Sequence, residues 1–139
     1  MNIPFLGNRR KKTGPPASFA DPEAVADLLA ECGLLRSQAV REGVELDDTA
    51  VSLEKLDQLV PGWRDDAETL PELGHDAGLY LGTVIVRTVP GAAWVIRPGQ
   101  EPFVRLASGR EVDVVRAGLG WAGSGVPELS QLYAEVAEG

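Results

Sequence analysis

The sequence holds one cysteine, Cys32, and one histidine, His75, in 139 residues. A single thiol excludes an intramolecular disulfide and a thiolate metal cluster built within one chain, and it suits a reducing compartment. A single imidazole excludes a two-histidine metal site and leaves any Ser-His-Asp arrangement dependent on that one residue. Long apolar runs are missing too: the longest candidate, Leu79 to Val89, is broken by Gly82, Arg87 and Thr88, far short of the roughly 18 residues a membrane span needs. There is no glycine-rich phosphate loop and no calcium-loop spacing. At the N-terminus the apolar stretch Ile3-Pro4-Phe5-Leu6 comes before the basic run Arg9-Arg10-Lys11-Lys12, the reverse of a secretory signal. These absences predict a cytoplasmic protein with no catalytic set, no cofactor-binding residues and no metal ligands.

What is present describes one folding unit. The length suits a single domain, and an apolar fraction of 44% with 24% charged residues is that of a globular chain. The net charge of −8 is unevenly placed. Residues 1–20 carry four basic and no acidic side chains, so residues 21–139 hold nine basic against twenty-one acidic, a net −12. Gly7, Gly14, Pro15 and Pro16 break any periodicity in the first segment. The expected organisation is a disordered basic tail over 1–20 and a single α+β domain over 21–139.

Periodicity places the elements. Asp21-Pro22-Glu23 reads as a helix start, and Val25, Leu28, Leu29 and Cys32 fall at helical spacing, which predicts a first helix over about 22–32 with Gly33 as its stop. Residues 34–48 fit no single pattern, with Gly43 marking a turn. From Ser52 the stripe Leu53, Leu56, Leu59, Val60 predicts a short helix that Pro61-Gly62 ends, with Trp63 near the junction. Leu70, Leu73, Ala77, Leu81 and Val84 continue one stripe for four turns, which predicts a long central helix despite the β-formers at 83–86. Gly74, Gly78 and Gly82 recur every fourth residue and form a smooth ridge on it. Each disfavours the helix by about 0.8–1.0 kcal/mol, so tight packing has to offset roughly 3 kcal/mol. Beyond Pro90-Gly91, the runs Ala93–Ile96, Phe103–Leu106 and Arg110–Val114, separated by Pro98-Gly99 and Ser108-Gly109, predict a three-stranded antiparallel meander. Gly118, Gly120, Gly123 and Gly125 predict a turn-rich segment around Trp121, and Pro127-Glu128 opens a C-terminal helix. The fold class is α+β, with helices in the N-terminal half, the long helix packed on the sheet and a helix at the end.

The motifs Gly78-Leu79-Tyr80-Leu81-Gly82, Val84-Ile85-Val86-Arg87, Trp94, Pro102-Phe103-Val104-Arg105-Leu106 and Gly109-Arg110-Glu111-Val112-Asp113 resemble a family of small uncharacterised actinobacterial proteins. In that family a tyrosine-leucine-glycine helix leads into a tryptophan-containing β-meander. The resemblance covers residues 70–138 and implies an α+β fold and a bacterial cytosolic origin, but no activity. Related sequences often carry an acidic residue after the motif glycine, where this chain has Thr83.

Candidate functional residues are few. Trp94, Phe103 and Trp121 read either as core or as a recognition surface, because large aromatics combine contact area with low entropy cost. Arg9, Arg10, Lys11 and Lys12 read as a solubilising end, as a weak contact for an anionic membrane together with Ile3, Phe5 and Leu6, or as a nucleic-acid contact. The acidic body repels phosphate backbones, so nucleic acid is not an expected partner of the folded part. Tyr80, Arg87 and His75 are the one grouping an enzyme of dispersed carboxylates could use, while Cys32 at a helix end reads as core. The sequence therefore points to a non-enzymatic protein-interaction or regulatory module with a protein partner. An immunity-type protein, a peripheral membrane adaptor and a dispersed-carboxylate enzyme stand as the alternatives.

Overall fold

A computed structural model describes residues 21–138. Helix α1 runs Pro22–Leu29, and the Asp21 carboxylate caps it by accepting from the backbone N–H groups of Glu23 and Ala24 at 3.1 and 3.3 Å. It ends earlier than its spacing predicts. Cys32 takes a left-handed conformation, φ 42°, and Gly33 opens helix α2, Gly33–Arg41, instead of closing α1. The redirection turns Leu35 and Ala39 fully into the core, a gain that a straight continuation of α1 would forgo.

Helix α3, Ala50–Trp63, starts at Thr49, whose hydroxyl accepts from Ser52 N–H. Contrary to the sequence expectation, Pro61-Gly62 does not stop it. A proline inside a helix costs about 3 kcal/mol, chiefly through one lost backbone bond near the end. Continuing for two residues buries Trp63 beside Leu53, Leu56 and Val60 and brings Arg64 to the end of a later helix, contributions of the same order. Helix α4, Leu70–Thr88, matches the predicted long helix and carries the buried stripe Leu73, Ala77, Leu81 and Val84.

Strands β1 (Ala93–Val95), β2 (Phe103–Arg105) and β3 (Glu111–Val112) form an antiparallel sheet in the order β1-β2-β3. The register pairs Trp94 with Val104 and Val104 with Val112, so these three share the face that meets α4. The next segment corrects the reading of a loose, glycine-rich loop: Val114–Ser124 is helix α5, capped by the Asp113 carboxylate and closed by Gly125 at φ 80°. Its glycines are there for close approach. A Cβ on Gly118 would lie 2.7 Å from Gly78 Cα, and one on Gly78 would lie 2.6 Å from Val115 Cα. The α4 ridge thus meets a matching small-residue face on α5, and Gly82 lies under the Trp94 indole.

Helix α6, Leu129–Ala137, closes the chain. The Asp57 carboxylate of α3 caps it, accepting from Leu129 N–H at 2.9 Å, Ser130 N–H at 3.1 Å and the Ser130 hydroxyl at 2.6 Å. The same carboxylate accepts from Trp121 Nε1–H at 2.9 Å, which is how a fully buried tryptophan keeps its donor satisfied. One core cluster joins α2, α3, α4, α5, α6 and the inner face of the sheet. Among the described residues no helix is long and apolar enough to cross a membrane.

Candidate functional site

Helix α1 is poorly covered. None of its residues is fully buried; Val25, Ala26 and Leu29 are half-buried and Leu28 is exposed. Between α1 and the sheet lies an open groove of about 800 Å³, within the size range of small-ligand sites. Val25 and Ala26 form one wall, Val86 of α4 part of the floor, and Trp94 and Ile96 the opposite wall. Arg97 and Gln100 supply polar groups at its far end. Trp94 is admitted there by Gly82: a Cβ at that position would approach within 2.8 Å of its Cζ2, so glycine leaves the room in which the benzo edge of the indole meets α4.

Among the described residues the sheet edge beside the groove is also unpaired. Leu106 N–H donates to Arg110 C=O at 2.8 Å, so the even-numbered residues of β2 bond toward β3 and Phe103 and Arg105 bond toward β1. Ala93 and Val95 answer them across the ladder, and the Trp94 N–H and C=O point off the outer edge of the sheet, on the groove side.

A second constellation gathers around Asp48. This residue holds φ 64°, in the left-handed region. Its carboxylate takes Arg36 at 3.1 Å on one oxygen and Arg87 on the other. Its N–H donates to the Tyr80 hydroxyl at 2.8 Å, and Ser52 Oγ lies 2.6 Å from that hydroxyl while donating to Thr49 C=O. The chain of donors is closed: Asp48 N–H to Tyr80, Tyr80 O–H to Ser52, Ser52 O–H to a backbone carbonyl. Burial raises the Tyr80 pKa, with the Ser52 hydrogen bond opposing. Arg36 further donates to Leu46 C=O and Ala30 C=O, each at 2.9 Å, and sits over the Tyr80 ring. The assembly fastens the 42–49 segment and the end of α1 to α4. Its hydroxyl pair, Tyr80 and Ser52, lies beside the Asp48 carboxylate, which Arg36 and Arg87 engage.

Of the grouping named from sequence, Tyr80 and Arg87 therefore meet around Asp48, and His75 does not join them. The His75 ring instead contacts Glu101 at 3.1 Å on the surface. Trp94 lines the groove. Phe103 is buried on the opposite face of the sheet under the Arg97 guanidinium, and Trp121 is fully buried, so the three aromatics form no common surface. Arg9, Arg10, Lys11 and Lys12 lie outside the described residues. No group of three or more metal-ligating side chains occurs among the described residues. Cys32 is buried, its thiol pushed up to about 12, first by desolvation and next by the Asp76 charge. Val25, Ala26 and Ile96 were not singled out from sequence as site residues. Their signal is slight, an apolar stripe on a short helix and an apolar residue just before a turn.

A model of a family of unknown function (DUF6278) matches residues 1–139. The chain belongs to that family. The match spans the basic N-terminal segment as well as the folded body. No curated protein and no solved structure matches the chain.

Proposed function

We propose that this member of the family is a non-enzymatic interaction module that takes an extended, apolar segment of a protein partner into the groove between α1 and β1. The observation that carries this reading is the coincidence of an apolar groove with a strand edge that no described residue pairs. Side chains of an incoming strand would enter the space between Val25 and Ile96, while its backbone would pair with the Trp94 N–H and C=O. The poor burial of α1 adds to it, since a two-turn helix gains most of its stability from packing and this one has an apolar face still to cover. The closed donor chain at Tyr80 and Ser52 speaks for a structural use of the polar cluster and against hydroxyl chemistry there. Regulatory and immunity-type roles are both forms of this module, because each needs one partner surface. The net −12 of residues 21–139 favours a partner with basic flanks, and the lone buried Cys32 suits a reducing cytoplasm.

The test is a paired capture from the native cell, with the full chain, Ala26→Trp and Ile96→Asp as baits, each variant first checked for cooperative urea unfolding. The expected result is one stoichiometric protein retained by the full chain and lost from both variants. A protein kept equally by all three baits, or none captured by any, would sink the groove as the interaction site.

A further inference from the structure

Resting on the reading of that groove as an interaction site, we propose that α1 is its moving jaw: the helix pivots on its pinned C-terminal end, Ala30–Cys32, and closes its N-terminal end over an occupant. The two ends of α1 are held unequally. At the C-terminal end the Arg36 guanidinium donates to Ala30 C=O from Nη2 at 2.9 Å and from Nε at 3.3 Å, and to Glu31 C=O from Nε at 3.1 Å. The Cys32 thiol reaches Leu29 C=O at 3.5 Å and Asp76 C=O of α4 at 3.4 Å, and Leu35 N–H donates to the Asp76 carboxylate at 3.1 Å. Ala30 and Cys32 are themselves buried. This end is fixed to α2 and α4.

The N-terminal end has nothing comparable among the described residues. Its cap, Asp21, bonds only within the helix. The ion pair of Asp27 with Arg87 spans 3.9 Å; Asp27 is 81% exposed and Arg87 is already engaged by Asp48, so the pair holds α1 weakly. A short helix with so few packed side chains opens at low free energy, and binding sites draw their moving parts from such elements. The joint permits a change of direction. Cys32 holds φ 42° and ψ 51°, so no continuous helix resists a tilt of α1, and a Cβ on Gly33 would meet nothing within 4 Å. Eight residues make α1 about 12 Å long, and a tilt of about 20° carries its N-terminal end by about 4 Å. One added strand takes up roughly 4.8 Å, so the swing suits an extended occupant. Pro22, Val25 and Ala26, at i, i+3 and i+4, share the helix face that lines the groove and would travel together, while Val86 stays with α4 and Trp94 with the sheet.

The proposal is tested on the full chain by double electron–electron resonance. Spin labels at Glu23→Cys on α1 and Gln100→Cys on the far lip, both exposed positions, read the width of the groove; Glu72→Cys on α4 with Gln100→Cys is the control, which also reports any motion of the lip itself. Labelling is done at pH 7, where buried Cys32 keeps its proton, and mass spectrometry checks for two labels per chain. The probe for the groove is the apolar dye 1-anilinonaphthalene-8-sulfonate. The expected result is a jaw pair with a distance distribution about twice as broad as the control in the free chain, which narrows and shortens by about 4 Å when the dye binds. The control pair should not change, and Ala26→Trp should abolish both the dye fluorescence and the shortening.

A jaw pair as narrow as the control in the free chain would overturn the proposal, as would dye binding without shortening, which makes α1 a rigid wall. Equal shortening of both pairs would assign the motion to the lip at Gln100 and overturn it too, and so would a dye that does not bind. The paired capture reads the partner and not the motion, so the jaw can fail while the interaction reading stands.

Discussion

At the scale of single residues, the buried polar groups are held for structure, and their removal is measurable. Asp57 collects four donors from three residues and links α3, α5 and α6. Asp57→Ala removes a helix cap, worth about 0.5–2 kcal/mol, and strands the Trp121 indole N–H in the core, worth about 1–3 kcal/mol. A loss of at least about 2 kcal/mol is therefore expected in urea unfolding, with a change in Trp121 near-ultraviolet circular dichroism. Cys32 gives a pH signature. Its thiol holds its proton from the ordinary value of 9.0 up to about 12 in the folded chain, so between those values the native state binds more protons than the unfolded one. Stability from this group is complete below pH 9 and falls as pH rises toward 12; Cys32→Ala should flatten that limb of the stability profile. At pH 8 a thiol reagent should label the native chain only as fast as it opens, and should label it promptly in denaturant.

At the scale of elements, the contact of α4 with α5 is made of backbone, and glycine is required at its centre. Gly78→Ala would drive a methyl group into Val114 C=O and Val115 Cα, neither of which can rotate away. Overpacking of this kind costs about 1–3 kcal/mol or more, and the helix propensity gained, about 1 kcal/mol, does not recover it. Gly62, also helical, has nothing within 4 Å of where its Cβ would stand. Gly62→Ala should therefore stabilise by up to about 1 kcal/mol. The pair of variants, compared in urea, separates packing from propensity within one protein; equal shifts would refute the close approach.

At the scale of the whole molecule, charge governs behaviour in solution. With a sequence pI near 4.6, the chain carries its repulsive −8 at neutral pH and loses it on acidification. Light scattering should show self-association rising toward pH 4.6 and receding at pH 7. Binding of a partner with basic flanks should weaken between low and high salt, mainly through slower association, whereas the apolar groove contact itself should change little.

Much of the architecture is local and could be read along the chain. The α4 stripe from Leu70 to Val84, the meander turns at Pro98-Gly99 and Ser108-Gly109, and the Asp21 cap all act within a few residues, so composition and period determined them. Tertiary structure decided the rest. Helix α5 forms through Gly118 because Gly74 and Gly78, some forty residues earlier, leave room for its backbone. Helix α3 outlasts Pro61 because Trp63 has a core to enter, and Gly33 starts a helix because Leu35 and Ala39 have one too. The groove belongs to the same class: Val25, Val86 and Ile96 are distant in sequence, and only folding sets them facing one another. Propensity is a property of neighbours in the chain, while burial depends on neighbours in space, and where the two disagreed in this protein, burial prevailed.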